Sequence, residues 1–366
     1  MDGRSVSGDS CFFTPYFSEM SLLSLTERGL YCEAGDFFID PWEPVDRAVI
    51  THAHADHATW GSRAYLTSSA GVGVLRARLE PRASIRGIEY GKELKLNGTT
   101  VSLHPAGHIL GSAQVRIEHG GEIWVVSGDY KTDPDPTCTP FEPIRCHTYI
   151  TESTFGLPIY CWPSESEVME EINAWWRANV AAGKTSLLLG YALGKAQRLL
   201  AGLDTSIGPI LTHGAVERMT GVYREAGIEL PPTQYAGAAG NQADATGAIV
   251  IAPPYADASI WARRFGERST GFASGWMMVR GARRQRSLDR GFPLSDHVDW
   301  PSLLATIDAT GAGEVWVTHG YTETVVRWLQ ERGIEARAVQ TRFEGELLEA
   351  GQLASGSAGP EVEPAE

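Results

Sequence analysis

Three observations predict an α/β fold for this chain. β-rich runs alternate with amphipathic helical stretches, no segment repeats, and 43% apolar beside 21% charged residues is the composition of a chain that packs a core. At 366 residues it is long for one core, so two lobes, or one fold carrying an insertion, are expected.

The elements follow in order. Residues 1–20 carry no basic region ahead of an apolar run and are expected to be flexible, and no stretch approaches the length of a membrane span. A cytoplasmic location and no membrane partner are therefore expected. Arg47 to Thr51 reads as a short buried strand running into THAHADHATW. Thr99 to Leu103 reads as another strand, and Gln114 to Glu118 with Glu122 to Ser127 as a hairpin turning at His119-Gly120-Gly121. Further strands are expected at Thr148 to Thr151, Ser186 to Leu189, Ala248 to Ala252, Gly275 to Val279 and Glu314 to Thr318. Ser164 and Glu167 form a capping box ahead of Val168, Ile172, Trp175 and Val180, which predicts a helix from Ser164 to Ala181. Helices are also expected at Gly194 to Leu200 and Pro301 to Ala309. The tail from 346 to 366 is Gly, Ala, Ser, Pro and Glu with little to bury, and disorder is expected there.

Charge and cysteines exclude some classes. Five scattered cysteines without a C-x-x-C spacing suggest neither a disulfide scaffold nor a thiolate zinc site. A net charge of −14 argues against a broad phosphate-binding surface. It is uneven, however: eight arginines between Arg263 and Arg290 face only Glu267 and Asp289. Two phosphate-loop signals fail. Gly183-Lys184-Thr185 ends a helix instead of opening one, and at Gly194-Lys195 the metal-binding Ser or Thr is replaced by Ala196. Lys195 at a helix start remains a candidate phosphate contact.

The chemistry concentrates in His52, His54, Asp56 and His57. Side chains alternate along an extended segment, so His52 and His54 point the same way and can grip one ion. Asp56 and His57, past the turn, suit a second. Paired metals recur in hydrolytic sites because attacking and leaving oxygens are both stabilised. More ligand-type residues stand at expected strand ends: His108 in a glycine-punctuated loop, Asp129 after Ser127-Gly128, and His319 after Val317-Thr318. Asp129 could bridge both ions. Two divalent cations are expected, zinc first, with manganese or iron also compatible with His and carboxylate donors.

This ordered set resembles the metallo-β-lactamase fold. The resemblance implies an αββα sandwich with a dinuclear site on one edge. Carried over, His52, His54 and His108 would hold the first metal, Asp56, His57 and His319 the second, and Asp129 would bridge. Asp40 in Phe38-Ile39-Asp40-Pro41 matches the family's first motif, a carboxylate that orients ligands, with Asp36 as a rival. The stretch Thr151 to Gly156 resembles the acidic motif of the β-CASP branch, whose members cut nucleic acids, and Leu294-Ser295-Asp296-His297 resembles its second motif. By that resemblance His297 would protonate the departing oxygen, Glu152 would orient it, and Asp56 and Asp129 would belong to the catalytic set. An inserted cap domain is expected at 161–272, between core parts at 21–160 and 273–345. Lys195, Ser274, Arg280 and Arg283 are candidate phosphate contacts.

From Gly29-Leu30-Tyr31-Cys32 and Gly35 to Trp42 through Ala106 to Ser112, Pro143 to Thr148 and Tyr191 to Arg198, the chain over about residues 25 to 345 resembles the bacterial DNA ligase-associated exonucleases. That implies a DNA repair exonuclease, expected to run 5′ to 3′, with DNA as substrate and an ATP-dependent ligase and a helicase as partners. Histidine at 319, where DNA-directed members usually carry valine, keeps a β-CASP ribonuclease as the alternative.

Overall fold

The computed structural model describes residues 21–237, 245–279 and 288–342. The N-terminus, the tail, Arg280 and Arg283 lie outside the described residues.

Three sheets organise the chain. The first runs in sequence order through β1 (Ser24–Thr26), β2 (Gly29–Cys32), β3 (Phe37–Ile39), β4 (Arg47–Val49), β5 (Ala64–Ser68) and β6 (Ile85–Ile88). It is parallel from β3 onward. The second holds β7 (Leu94–Leu96), β8 (Thr99–Pro105), β9 (Ala113–His119), β10 (Glu122–Val126) and β11 (Thr148–Ser153). It is completed by β18 (Glu314–Gly320) and β19 (Glu335–Ala338) on the far side of β11. The hairpin between β9 and β10 turns on Gly120 and Gly121 at φ 59° and 89°, values a Cβ disfavours.

Alternation sorts the side chains of these sheets. Phe37, Ile39 and Val49 face Val101, Leu103, Val115, Ile117 and Trp124, and together they form the buried layer between the two sheets. The outer face of the first sheet packs on α1 (Val72–Arg78) through Val74 and Leu75. The outer face of the second packs on the helices Trp300–Thr310 and Thr322–Gln330 through Leu303, Ile307, Val325 and Leu329. The result is the expected αββα sandwich.

The third sheet is the insertion. β12 (Thr185–Leu189), β13 (Ile210–Thr212), β14 (Gln234–Tyr235), β15 (Ile249–Ala252), β16 (Arg268–Ala273) and β17 (Arg290–Phe292) pair in the order β14-β13-β15-β12-β16-β17. Every pairing is parallel. Helices α2 (Glu165–Ala181), α3 (Lys195–Gly202) and α4 (Gly214–Glu225) cover it, and α2 starts at the expected reciprocal cap of Ser164 and Glu167. This sheet runs on to Phe292, past the expected boundary at 272. α4 also reaches the first sheet, where Met219 and Tyr223 join the cluster of Val74 and Ile109. Insertion and sandwich thus share a core.

One expected strand is absent: Gly275–Met278 is a short 3-10 turn, because the Ser274 side chain accepts from Trp276 N and pulls the chain out of the ladder. Among the described residues no helix is long and apolar enough to cross a membrane.

Candidate metal centre

Strand ends deliver the ligand-type residues to one point. After β4 the chain passes His52 and His54, then closes a turn in which His57 N and Ala58 N both donate to His54 O. His108 lies in the loop between β8 and β9, where Ser112 Oγ accepts from the amides of His108 and Ile109. That loop passes so close to Gly71 that a Cβ on Gly111, itself at φ 77°, would lie 2.1 Å from Gly71 Cα. Only glycine fits there. Asp129 follows β10, and His319 is the penultimate residue of β18 at φ 51°.

Around Asp129 Oδ2 stand His57 Nε2 at 3.4 Å, His52 Nε2 at 3.5 Å and His108 Nε2 at 3.9 Å. His108 Nε2 is 3.1 Å from His54 Nδ1. The donor atoms of His52, His54, His108 and Asp129 all lie within 4.8 Å of one another, which is the spacing one cation needs. Asp56 Oδ2 is 3.7 Å from His57 Nε2, and the His57 and His319 rings are 5.6 Å apart. The seven residues expected as ligands are therefore brought together.

The surrounding contacts decide which ring nitrogen faces the centre. His57 Nδ1 donates to Asp40 Oδ2 at 2.8 Å, His108 Nδ1 to the Asp296 carbonyl at 2.8 Å, and His54 Nε2 to the Leu193 carbonyl at 3.2 Å. With those nitrogens carrying protons, the inward nitrogens of the neutral His54 and His108 rings present lone pairs. His52 Nε2 is buried and has no hydrogen-bond partner. A buried imidazole nitrogen without a partner, beside a second lone pair and a carboxylate, is costly unless a cation meets it. The residues present fit a bound divalent metal.

Electrostatics agree. Burial, with neighbouring His57 adding to it, holds His52 well below its ordinary pKa. Burial does the same to His108, with His54 next, and lowers His54 and His319. These are neutral imidazoles, the form that binds metal. Burial also opposes charge on His57, but Asp129, Asp56 and Asp40 outweigh it and raise that ring well above its usual value.

Beside the cluster sits a second one. Glu152 on β11 accepts from Tyr130 N through Oε1 at 2.8 Å, and through Oε2 from Thr154 Oγ1 at 2.6 Å and His297 Nδ1 at 2.8 Å. His297 Nδ1 is 4.0 Å from Asp129 Oδ2, so this pair touches the ligand cluster. Burial pushes the Glu152 carboxyl up against the opposing pull of His297.

Asp40, not Asp36, reaches the histidine cluster. Asp40 takes Thr51 N, Thr51 Oγ1 and His57 Nδ1, whereas Asp36 lies on the surface paired with Arg47 at 3.0 Å. The phosphate contacts expected of Lys195 and Ser274 are not available. Lys195 is fully buried, and its Nζ donates to the Leu294 carbonyl at 2.8 Å and to Asp296 Oδ2 at 2.9 Å. Ser274 is buried as the cap of the turn after β16.

Sequence reasoning missed Asp296 as an anchor. Its carbonyl orients His108 while its carboxylate is met by Lys195 and Arg198, the latter at 3.0 Å. Arg198 also reaches Glu165, and Lys131 with Asp135 extends the buried ionic group into the sandwich. The acidic residue inside Leu294 to His297 was the one signal available, and nothing local tells which cations meet it.

No family model matches the chain. A protein of Opitutus terrae named a probable DNA ligase is 34% identical over 315 residues, which is 85% of this chain and 30% of that protein. An RNase J-like protein of Methanocaldococcus jannaschii is 25% identical over 236 residues, 54% of each chain. The chain thus spans less than two thirds of either relative. A crystal structure of an Enterococcus faecalis V583 protein of unknown function superposes with a TM-score of 0.54 at 12% identity, covering 82% of this chain and 80% of that one. With its sandwich, inserted parallel sheet and histidine cluster, the chain has the metallo-β-lactamase fold with an inserted β-CASP cap, and its relatives include β-CASP nucleases.

Proposed function

We propose that the chain is a metal-dependent exonuclease that hydrolyses DNA phosphodiesters from the 5′ end, in repair beside a DNA ligase and a helicase. The observation that carries the hydrolytic reading is the buried Glu152–His297 pair set against Asp129. His52, His54, His108 and Asp129 would hold one divalent cation, zinc by the balance of imidazole and carboxylate donors, and Asp56, His57 and His319 a second that shares Asp129. When bound, such cations polarise the phosphodiester and acidify a water.

The protein's own groups do the rest. Asp40 fixes the His57 ring, and the Asp296 carbonyl fixes that of His108. Glu152 keeps a proton on His297 Nδ1, so the proton the ring can deliver to the departing 3′ oxygen is the one on Nε2. Likeness to the Opitutus protein named a probable DNA ligase supports DNA and a ligase partner.

A ribonuclease is the second reading, favoured by His319 and by likeness to the RNase J-like protein. Polarity is tested with metal-loaded protein on one DNA strand labelled at either end. Mononucleotides released first from the 5′ end support the proposal, and release first from the 3′ end or internal cuts overturn it.

A further inference from the structure

All pairings of the third sheet are parallel, so all its strands end on one edge. That edge begins at the metal centre. β12 leads to Leu193, whose carbonyl holds His54, and β16 leads to Trp276, whose ring lies tilted 4.8 Å from that of Phe155, itself 6.0 Å from the His297 ring. In open parallel sheets this is the edge at which ligands bind.

Away from the centre the same edge carries a row of rings. β15 leads into the 3-10 turn Pro254–Ala256 that carries Tyr255, 60% exposed, and β14 ends at Tyr235, 46% exposed. Between them β13 leads to His213, whose ring lies 5.8 Å from Tyr255 and 4.7 Å from Trp261. Tyr235 packs over Gly214, where a Cβ would meet its ring at 3.3 Å. The Arg264 guanidinium lies 5.6 Å from the Trp261 ring centroid, and Arg263 and Arg264 are both exposed. Three strand spacings separate β12 from β14, about 14 Å, or about four stacked nucleotides at a rise of ~3.4 Å.

We propose that this edge is a stacking track that carries the single strand whose end occupies the metal centre, Tyr255 and Tyr235 taking bases and Arg263 and Arg264 the backbone. Exposed aromatics interleaved with arginine suit single-stranded nucleic acid because every base offers a π face while phosphates seek cations. A chain of net charge −14 repels nucleic acid overall, so a local cationic and aromatic strip is where binding concentrates. The track rests on the nuclease reading for the identity of its occupant.

The test measures binding of phosphorothioate DNA strands, which resist cleavage, to the metal-loaded full chain by fluorescence anisotropy. Strands of about two and about ten nucleotides are compared, the shorter reaching only the centre. Tyr255→Ala is expected to weaken the longer strand about tenfold and the shorter one little, and Tyr255→Phe to restore affinity. Hydrolysis of bis(p-nitrophenyl) phosphate, too small to reach the track, is expected to be unchanged in all three proteins. Equal affinity of wild type and Tyr255→Ala for the longer strand overturns the track even if the protein cuts DNA. Protein that cleaves no DNA yet shows the Tyr255-dependent loss overturns the exonuclease reading and keeps the track.

Discussion

Glu152 Oε2 lies 2.8 Å from His297 Nδ1, and both side chains are buried within reach of Asp129. A carboxylate bound to one imidazole nitrogen fixes tautomer and ring direction together, leaving the other nitrogen to move a proton. Under the proposed function His297 would be the acid and Glu152 the residue that positions it.

His297→Ala is therefore expected to lower kcat by about 10²- to 10⁴-fold while bound metal per chain stays constant. Glu152→Gln should lower kcat as well and displace the pH profile, because the amide no longer stabilises a charged ring. Because Asp129, Glu152 and His297 are themselves close enough to hold a cation, metal analysis decides the roles. Loss of metal in His297→Ala would make it a ligand.

Asp40 holds His57 and, through Thr51, the start of the loop that carries His52, His54 and Asp56. Asp40→Ala is expected to weaken metal binding by about 10- to 100-fold, measured by competition with a chromophoric chelator. Asp36→Ala, on the exposed ion pair with Arg47, should change nothing measurable.

Lys195 tests stability. Lys195→Met leaves the Asp296 carboxylate short of one cation in a buried site, at a cost of about 3 to 5 kcal/mol. The pH dependence carries a sign. Burial alone would raise Asp296, but Lys195 and Arg198 hold it well below the usual carboxylate range. A carboxyl depressed on folding contributes stability above its unfolded value, about 3.9, and loses it as pH falls toward the folded value. The gap between wild type and Lys195→Met in denaturant midpoint should accordingly narrow on going from about pH 7 to below about pH 4. A gap independent of pH would contradict the assignment.

The cluster of ligand-type residues was legible because they stand within a few residues of one another or beside glycines at strand ends, where local spacing carries the information. His52, His54, Asp56 and His57 share one loop, and Asp129 follows Gly128 at φ 58°. Lys195 was misread for the opposite reason: its partner, Asp296, comes from a distant segment, and a helix-start lysine looks the same in sequence whether it faces solvent or a buried carboxylate. The strand expected at Gly275–Val279 failed because the Ser274 cap outweighs the β propensity of the residues after it. The three-residue strands β1, β3 and β7 are too short to show a period, and pairing with neighbours defines them.

Removing metal should cost more than activity. With inward lone pairs and His52 Nε2 unmatched, the stripped centre holds uncompensated buried groups. A chelator is expected to lower the thermal midpoint, and zinc or manganese to restore it in wild type but not fully in His52→Ala. A midpoint indifferent to chelator would mean that the cluster does not hold metal in the folded protein.

The most direct test of the central claim is a competition between a DNA strand and an RNA strand of one sequence, both 5′-phosphorylated, for metal-loaded wild type and for Asp56→Ala. The account predicts that wild type shortens the DNA strand in preference to the RNA strand and that Asp56→Ala shortens neither. RNA shortened while DNA stays intact would contradict it and make this chain a ribonuclease.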